Sequence, residues 1–301
     1  MYSDSFKKRL IKNFKLPIRI IEEPYFSYYL NLYQKNFKIE EKIEIMKKSI
    51  EMAGSETELM NLWYKVKDEA TLSISSNPEF KEFQRFESEY QVKNKIQNKN
   101  LYNHQFINNT CVSVDLITAN YSVLKKFNPR LVFNTENFKE FILRYTKVPL
   151  FQESKIFRQL LFETLDHKKN GDHQKNIILQ TLDLLNSELT PLYSLVINND
   201  ELILVFNKTE DLIAIETVVQ SAVDKTPYNQ LMKVEAFNLI PVYQEVFNKI
   251  TKNSSVLKNA PVSLYPQLFK KANDLEINPD LDLAFIDSET GILSKYLKPI
   301  F

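Results

Sequence analysis

LYSLVINNDELILVF, residues 192–206, decides how this chain is read. Two short apolar runs, Leu192–Ile197 and Glu201–Phe206, flank Asn198-Asn199-Asp200. Asn and Asp accept the positive φ angles that a tight reversal needs, so the pattern predicts a β-hairpin with Asp200 and Glu201 at its tip. The runs are too short and too rich in branched residues for a helix.

Working outward, TCVSVD (110–115) is β-branched and predicts a strand ending at Asp115. ITANYSVLKKF then reads as a helix stopped before Asn128-Pro129. NTENFKEFILRYT (134–146), SKIFRQLLFETLDHK (154–168) and KNIILQTLDLLNSEL (175–189) show helical apolar spacing, with a break expected at Asn170-Gly171. Beyond the hairpin, EDLIAIETVVQSAVD (210–224) is an amphipathic helix and LMKVEAFNLI (231–240) a further strand. Strand, helices, hairpin, helix, strand is an expanded split βαβ order, so the fold class is α+β with a palm-like antiparallel sheet over 106–240. Residues 1–105 read as a helical N-terminal domain whose aromatic stripe (Phe26, Tyr29, Tyr33, Phe37) packs helices together, with Gly54 as a C-cap. The polar run 93–100 is a linker, and 241–301 form a small C-terminal tail subdomain.

Composition narrows the function. Lys plus Arg number 39 against 38 Asp plus Glu, a net charge of +1, which argues against a basic nucleic-acid coat but leaves room for a local basic cleft. The lone Cys111 is expected as a small buried hydrophobe, without disulfide or zinc role. With no apolar stretch of about 18 residues, no membrane partner is expected, and a reducing cytoplasm fits. The chain has 3 glycines, too few for a phosphate-cradling loop, so nucleotide binding would rest on side chains and metal.

Two acidic positions carry the chemistry. Asp115 ends the first strand; Asp200 and Glu201 sit at the hairpin tip. In a split βαβ sheet these strand ends can be neighbours, as two-metal phosphoryl transfer requires. Between them in sequence, Ser154, Arg158 and Phe162 share a helix face by i, i+4 spacing, with Lys155 beside Arg158, and such cations can meet a triphosphate. Read together, VSVDLITANYSVL, SKIFRQLLFETL and LVINNDELILVF resemble the three motifs of the family A DNA polymerase palm, in the family's order over about 110–225. The resemblance implies Asp115, Asp200 and Glu201 as catalytic residues, Asp115 and Asp200 as Mg²⁺ ligands, and Lys155, Arg158, Phe162 and Asn120 as substrate contacts. It implies a template-directed nucleotidyltransferase acting on nucleic acid and nucleoside triphosphates. Asn120 stands where that family has a sugar-gating glutamate, Asn199 where it has histidine, and Glu163 where it has glycine.

Each residue also has a plainer reading. Asn-Asn-Asp suits a turn for backbone reasons alone. Asp115 can be the N-cap of the next helix, and Lys155 and Arg158 an ordinary solvated face. His167 and His173, with Asp166 and Asp172, read as a surface loop. The basic start (Lys7, Lys8, Arg9, Lys12, Lys15, Arg19) is either a solvated helix or a contact for nucleic-acid phosphates. The rival function is a non-catalytic nucleic-acid- or replication/transcription-complex-binding subunit with a degenerate palm and a partner protein subunit.

Overall fold

The structure is a computed structural model and describes residues 2–85, 87, 96–97, 102–197, 199–209 and 211–301. The expected linker at 93–100 therefore lies largely outside the described residues.

Helices α1 (Asp4–Phe14), α2 (Tyr25–Phe37), α3 (Ile39–Ala53), α4 (Glu56–Ser75) and α5 (Pro78–Arg85) come first. Their ends follow the sequence chemistry. Ser3 and Ser55 accept the amides of Phe6 and Glu58 as N-caps, and Gly54 takes φ 94° beyond α3. The aromatic stripe of α2 is core: Phe26, Tyr29 and Tyr33 are buried.

After the two-residue β1 (Ile96–Gln97) come β2 (Asn109–Leu116), α6 (Ala119–Phe127), α7 (Phe138–Leu143), α8 (Pro149–Glu153), α9 (Lys155–Glu163) and α10 (His167–Glu188). The hairpin strands β3 (Tyr193–Ile197) and β4 (Glu201–Asn207), helix α11 (Leu212–Asp224) and β5 (Met232–Tyr243) complete the expected order. The last stretch is β6 (Val246–Thr251), β7 (Ser255–Lys258), α12 (Tyr265–Ala272) and a small ribbon of β8 (Ala284–Ile286) and β9 (Leu293–Lys295).

The sheet order is β1-β3-β4-β2-β5-β6-β7, antiparallel except where β1 meets β3. Strand alternation gives it two buried faces. Val112, Val114, Leu202, Leu204 and Ala236 join the large helical core, while Cys111, Ile203, Val205, Phe237 and Phe247 form a second cluster with Tyr102 and Phe106. Cys111 is fully buried, and burial pushes its thiol up to about 12, so it packs as a hydrophobe.

Two expectations change. The boundary expected at residue 240 falls inside β5, and β6 and β7 extend the sheet beyond it. The remainder packs back on the N-terminal helices, where Tyr33 meets the rings of Tyr265 and Phe269. Second, the expected break at Asn170-Gly171 does not occur. Asp166 caps α10 through the Lys169 amide, and the helix runs through Gly171 to Glu188. His173 is consequently no loop residue: it is buried, stacked on Phe83 with ring centroids 4.2 Å apart, and its proton affinity is lowered by burial.

Candidate active site

β2 is the central element, clasped between β4 and β5. Its end is held on both sides: the Leu116 amide donates to the Asp200 carbonyl at 2.9 Å, and the Ile117 amide to the Leu231 carbonyl at 2.8 Å. In the same register Asp115 stands opposite Glu201 on β4 and Lys233 on β5. The hairpin pairs Ile197 with Glu201, leaving three linking residues; residue 198 lies outside the described residues, and Asn199 adopts φ 70°. Asp115 is not a helix N-cap. That place belongs to Thr118, at φ 47°, which caps α6 with no side-chain bond.

The end of β2, the start of α6, α9, the first turns of α10 and the hairpin turn enclose a cleft of about 450 Å³. Asp115 and Asp200 both border it, as do Lys155, Arg158 and Asn120. Burial first, then Glu201 and Asp200, push the Asp115 carboxyl up to about 7, against the pull of Lys155 and Lys233. Asp200 is also raised, chiefly by burial, with Lys155 again opposing. Lys155 is thus within electrostatic reach of both carboxylates from the facing wall.

Glu201 is raised by burial too, but its counter-charges are Lys249 and Lys258, and Ser113 hydrogen-bonds to it. By strand alternation Glu201, Ser113 and Asp115 share the sheet face away from the large helical core; Asp115, at the end of its strand, borders the cleft, and Glu201 does not line it. Lys249 itself bonds Glu235 at 2.9 Å, so Glu201 enters a network of charges on the sheet rather than the cleft.

The α9 residues separate in a way their spacing does not foretell. Ser154 is the buried N-cap of α9; it accepts the Phe157 amide and donates to Asn13 Oδ1 of α1 at 3.0 Å. Phe162 is 1% exposed and packs on Phe138, so its expected place in the cleft is corrected. Arg158, one turn earlier, crosses the same Phe138 ring at 5.4 Å, and its longer side chain reaches the cleft. Both residues meet Phe138 of α7, but Arg158 extends past it into the cleft, beside Lys155 and Gln159 of the same helix.

Sequence reading missed the α10 wall. His167, Gly171 and Gln174 line the cleft, and Gln174 donates to Asn120 Oδ1 at 2.7 Å, fixing that amide. The Asn199 side chain lies over Gly171, 3.5 Å from where a Cβ would be. The signal was present in the Asp166 cap, but the polar run with its glycine outweighed it.

Among the described residues no three His, Cys, Asp or Glu side chains gather into a full metal-ligand set. The donor pair that does border the cleft, Asp115 and Asp200, nevertheless suits Mg²⁺, which is commonly held by one or two carboxylates plus substrate phosphates. The buried negative charge on Asp115, disfavoured first by burial and then by Glu201 and Asp200, is what a divalent cation would stabilise. No helix among the described residues is long and apolar enough to cross a membrane. No protein-family model, curated protein or solved structure matches the chain.

Proposed function

We propose that the chain is a reduced, template-directed nucleotidyltransferase of the family A DNA polymerase type, working in the cytoplasm. The observation that carries the reading is the convergence of Asp115, Asp200, Lys155 and Arg158 on one cleft from a strand end, a hairpin turn and a helix. The chance of an ordinary turn aspartate meeting a half-buried strand carboxylate opposite two cations is low, because each charge costs desolvation energy unless a ligand compensates it.

In this reading Asp115 and Asp200 hold Mg²⁺, which supplies charge neutralisation to an in-line displacement at the α-phosphorus. Lys155 and Arg158 hold the triphosphate oxygens from the facing wall, Arg158 through its two-pronged guanidinium. Asn120, its amide fixed by Gln174, meets the nucleotide's sugar. Glu201 keeps the sheet's charge network in place beside Asp115 and does not touch substrate.

The test is Mg²⁺-dependent incorporation of nucleotides on a primed template by wild type and Asp200→Asn. Incorporation by wild type that the substitution abolishes supports the reading; equal activity of the two proteins overturns it. A second reading, a non-catalytic replication- or transcription-complex subunit that binds nucleic acid with a partner protein, is favoured by the burial of Phe162 and the absence of Glu201 from the cleft lining. It predicts inactivity in both proteins with nucleic-acid binding retained.

A further inference from the structure

The cleft does not end at α9. A second concavity of about 470 Å³ shares Asn120, Gln159 and His167 with it, and a third of about 340 Å³ shares Lys12, Ile156 and Leu160 with the second. The three make one groove from the Asp115–Asp200 cleft, over α9, to the exposed side of α1 and α4. Its chemistry changes along the way. Beyond the carboxylates, the second concavity carries one acidic residue, Glu163, and the third carries none, while Lys8, Arg9 and Lys12 line its α1 wall.

These cations are largely uncompensated. The ion pairs of this region join Lys7 to Glu23 and Arg9 to Glu56, leaving Lys8, Lys12 and Lys15 without a carboxylate partner among the described residues. Lys15 reaches Gln159 at 3.0 Å, and its proton affinity is lowered by burial and then by Lys155, so a second ammonium group lies within electrostatic reach of the first near Gln159. Lys8 and Lys12 are one helical turn apart, about 6 Å along the axis, an interval on the scale of one extended nucleotide. Beside them Tyr64 is 57% exposed and Leu160 38% exposed, both lining the groove over the buried Trp63. A cationic rail with an exposed aromatic beside it is the physical recipe for a single strand: phosphates on the rail, a base on the ring. A protein partner would need paired carboxylates in register with the lysines and would leave Tyr64 no stacking role.

We propose that this groove binds single-stranded nucleic acid and leads it to the Asp115–Asp200 cleft, with phosphates on Lys8 and Lys12 and a base stacked on Tyr64. The proposal rests on the nucleotidyltransferase reading for its destination, but not for the binding itself.

The experiment is fluorescence anisotropy with a labelled oligothymidylate and a duplex of equal length, across a salt series. Wild type is expected to prefer the single strand. Lys8→Gln/Lys12→Gln is expected to weaken binding at least tenfold at low salt and to reduce the log–log salt slope by about 1.4, at about 0.7 per lost contact. Tyr64→Ala is expected to weaken it by about fivefold or more with the slope unchanged. All three positions are exposed or half-exposed to solvent, and unchanged thermal midpoints confirm that folding is intact. No single-strand binding by wild type, a preference for duplex, or variants that bind as wild type overturns the proposal; a groove that instead retains a protein through Lys8 and Lys12 does the same. Binding that survives in Asp200→Asn while nobody incorporates nucleotide keeps this inference and removes the catalytic one. Incorporation that is indifferent to Lys8 and Lys12 does the reverse.

Discussion

The amide of Leu116 donates to the carbonyl of Asp200 at 2.9 Å, so the residue after one cleft carboxylate is tied to the backbone of the other. The end of β2 and the hairpin turn cannot part without breaking this bond. With Asp115 opposite Glu201 in the same ladder, the acidic positions are set by sheet register rather than by loop conformation. That arrangement is rigid, and it is electrostatically costly.

The cost has a pH signature. Folding raises the Asp115 carboxyl to about 7, so the folded chain binds that proton more tightly than the unfolded chain does. Stability from this group is therefore lost as pH rises from the ordinary aspartate value of about 4 through 7, and stays lost above it. Asp200 and Glu201, both raised, act in the same direction. Asp115→Asn is expected to be more stable than wild type by about 0.5–2 kcal/mol at pH 8, with the difference vanishing near pH 3.5. Thermal midpoints over that range test it; a mutant less stable at pH 8 would mean that the carboxylate is a structural acceptor.

Asp200→Asn separates turn from ligand. Asn is as good a turn former, and the bond from Leu116 uses the Asp200 carbonyl, which the substitution keeps. The thermal midpoint should stay within a degree or two per the small effect of such swaps, about 0.5 kcal/mol. Mg²⁺-dependent incorporation should fall about a hundredfold or more. A marked stability loss with no change in activity would assign Asp200 to the hairpin alone.

Arg158 and Phe162, one turn apart on α9, should diverge when removed. Phe162→Ala opens a cavity beside Phe138 in a fully buried site and is expected to cost about 3–5 kcal/mol. Arg158→Gln keeps most of the stem over the Phe138 ring, so stability changes little, while the KM for nucleotide rises about tenfold or more through loss of a charged hydrogen-bond pair. Urea unfolding and steady-state kinetics on both variants decide the matter. Equal kinetic defects at equal stability would restore Phe162 to the cleft.

The hairpin, the β2 strand and their order were legible because each is a short run whose period and turn chemistry leave one interpretation. Val112, Val114, Leu202 and Leu204 take one of the sheet's two buried faces by strand alternation, and register then sets Asp115 opposite Glu201 beside the turn. Three things were not legible. Helix spacing placed Arg158 and Phe162 on one face, but which of them reaches the cleft depends on Phe138, a residue from another helix. Glu201 adjoins Asp200 in sequence, yet it is held by Lys249 and Lys258, some fifty residues on in β6 and β7, whose place in the sheet composition does not announce. The α10 wall was hidden by Asn170 and Gly171, where tertiary packing overrides the low helix propensity of glycine.

The C-terminal segment should be indispensable to the N-terminal helices. Asp282 is fully buried, accepts from Tyr28 Oη of α2 at 2.8 Å and from the Asn278 amide at 2.7 Å, and pairs with Lys270 at 2.8 Å. Asp282→Ala takes the carboxylate from the buried Lys270 ammonium and the Tyr28 hydroxyl, at an expected cost of about 3–5 kcal/mol. The loss should show as a lower urea midpoint in one cooperative transition. Loss confined to a separate early transition would show instead that 259–301 fold independently of α2.

Gly171 offers the sharpest test of whether α10 is a wall of the site. A Cβ there meets Asn199 Nδ2 at 3.5 Å, an ordinary contact, and the residue lies within a regular helix. Gly171→Ala should therefore gain the usual helical advantage of alanine, about 0.5–1 kcal/mol, and leave activity close to wild type. Gly171→Leu also favours the helix, but its added branches must enter the cleft or push Asn199, and Asn199 is joined to Asp200 at the hairpin tip. The expected outcome is a stable protein whose nucleotide incorporation, or whose affinity for nucleotide if it is inactive, drops well below that of the alanine variant. Equal behaviour of alanine and leucine at this position would place the ligand elsewhere, because a cleft bordered by Gly171 and Asp200 has no room to ignore an isobutyl group at its wall.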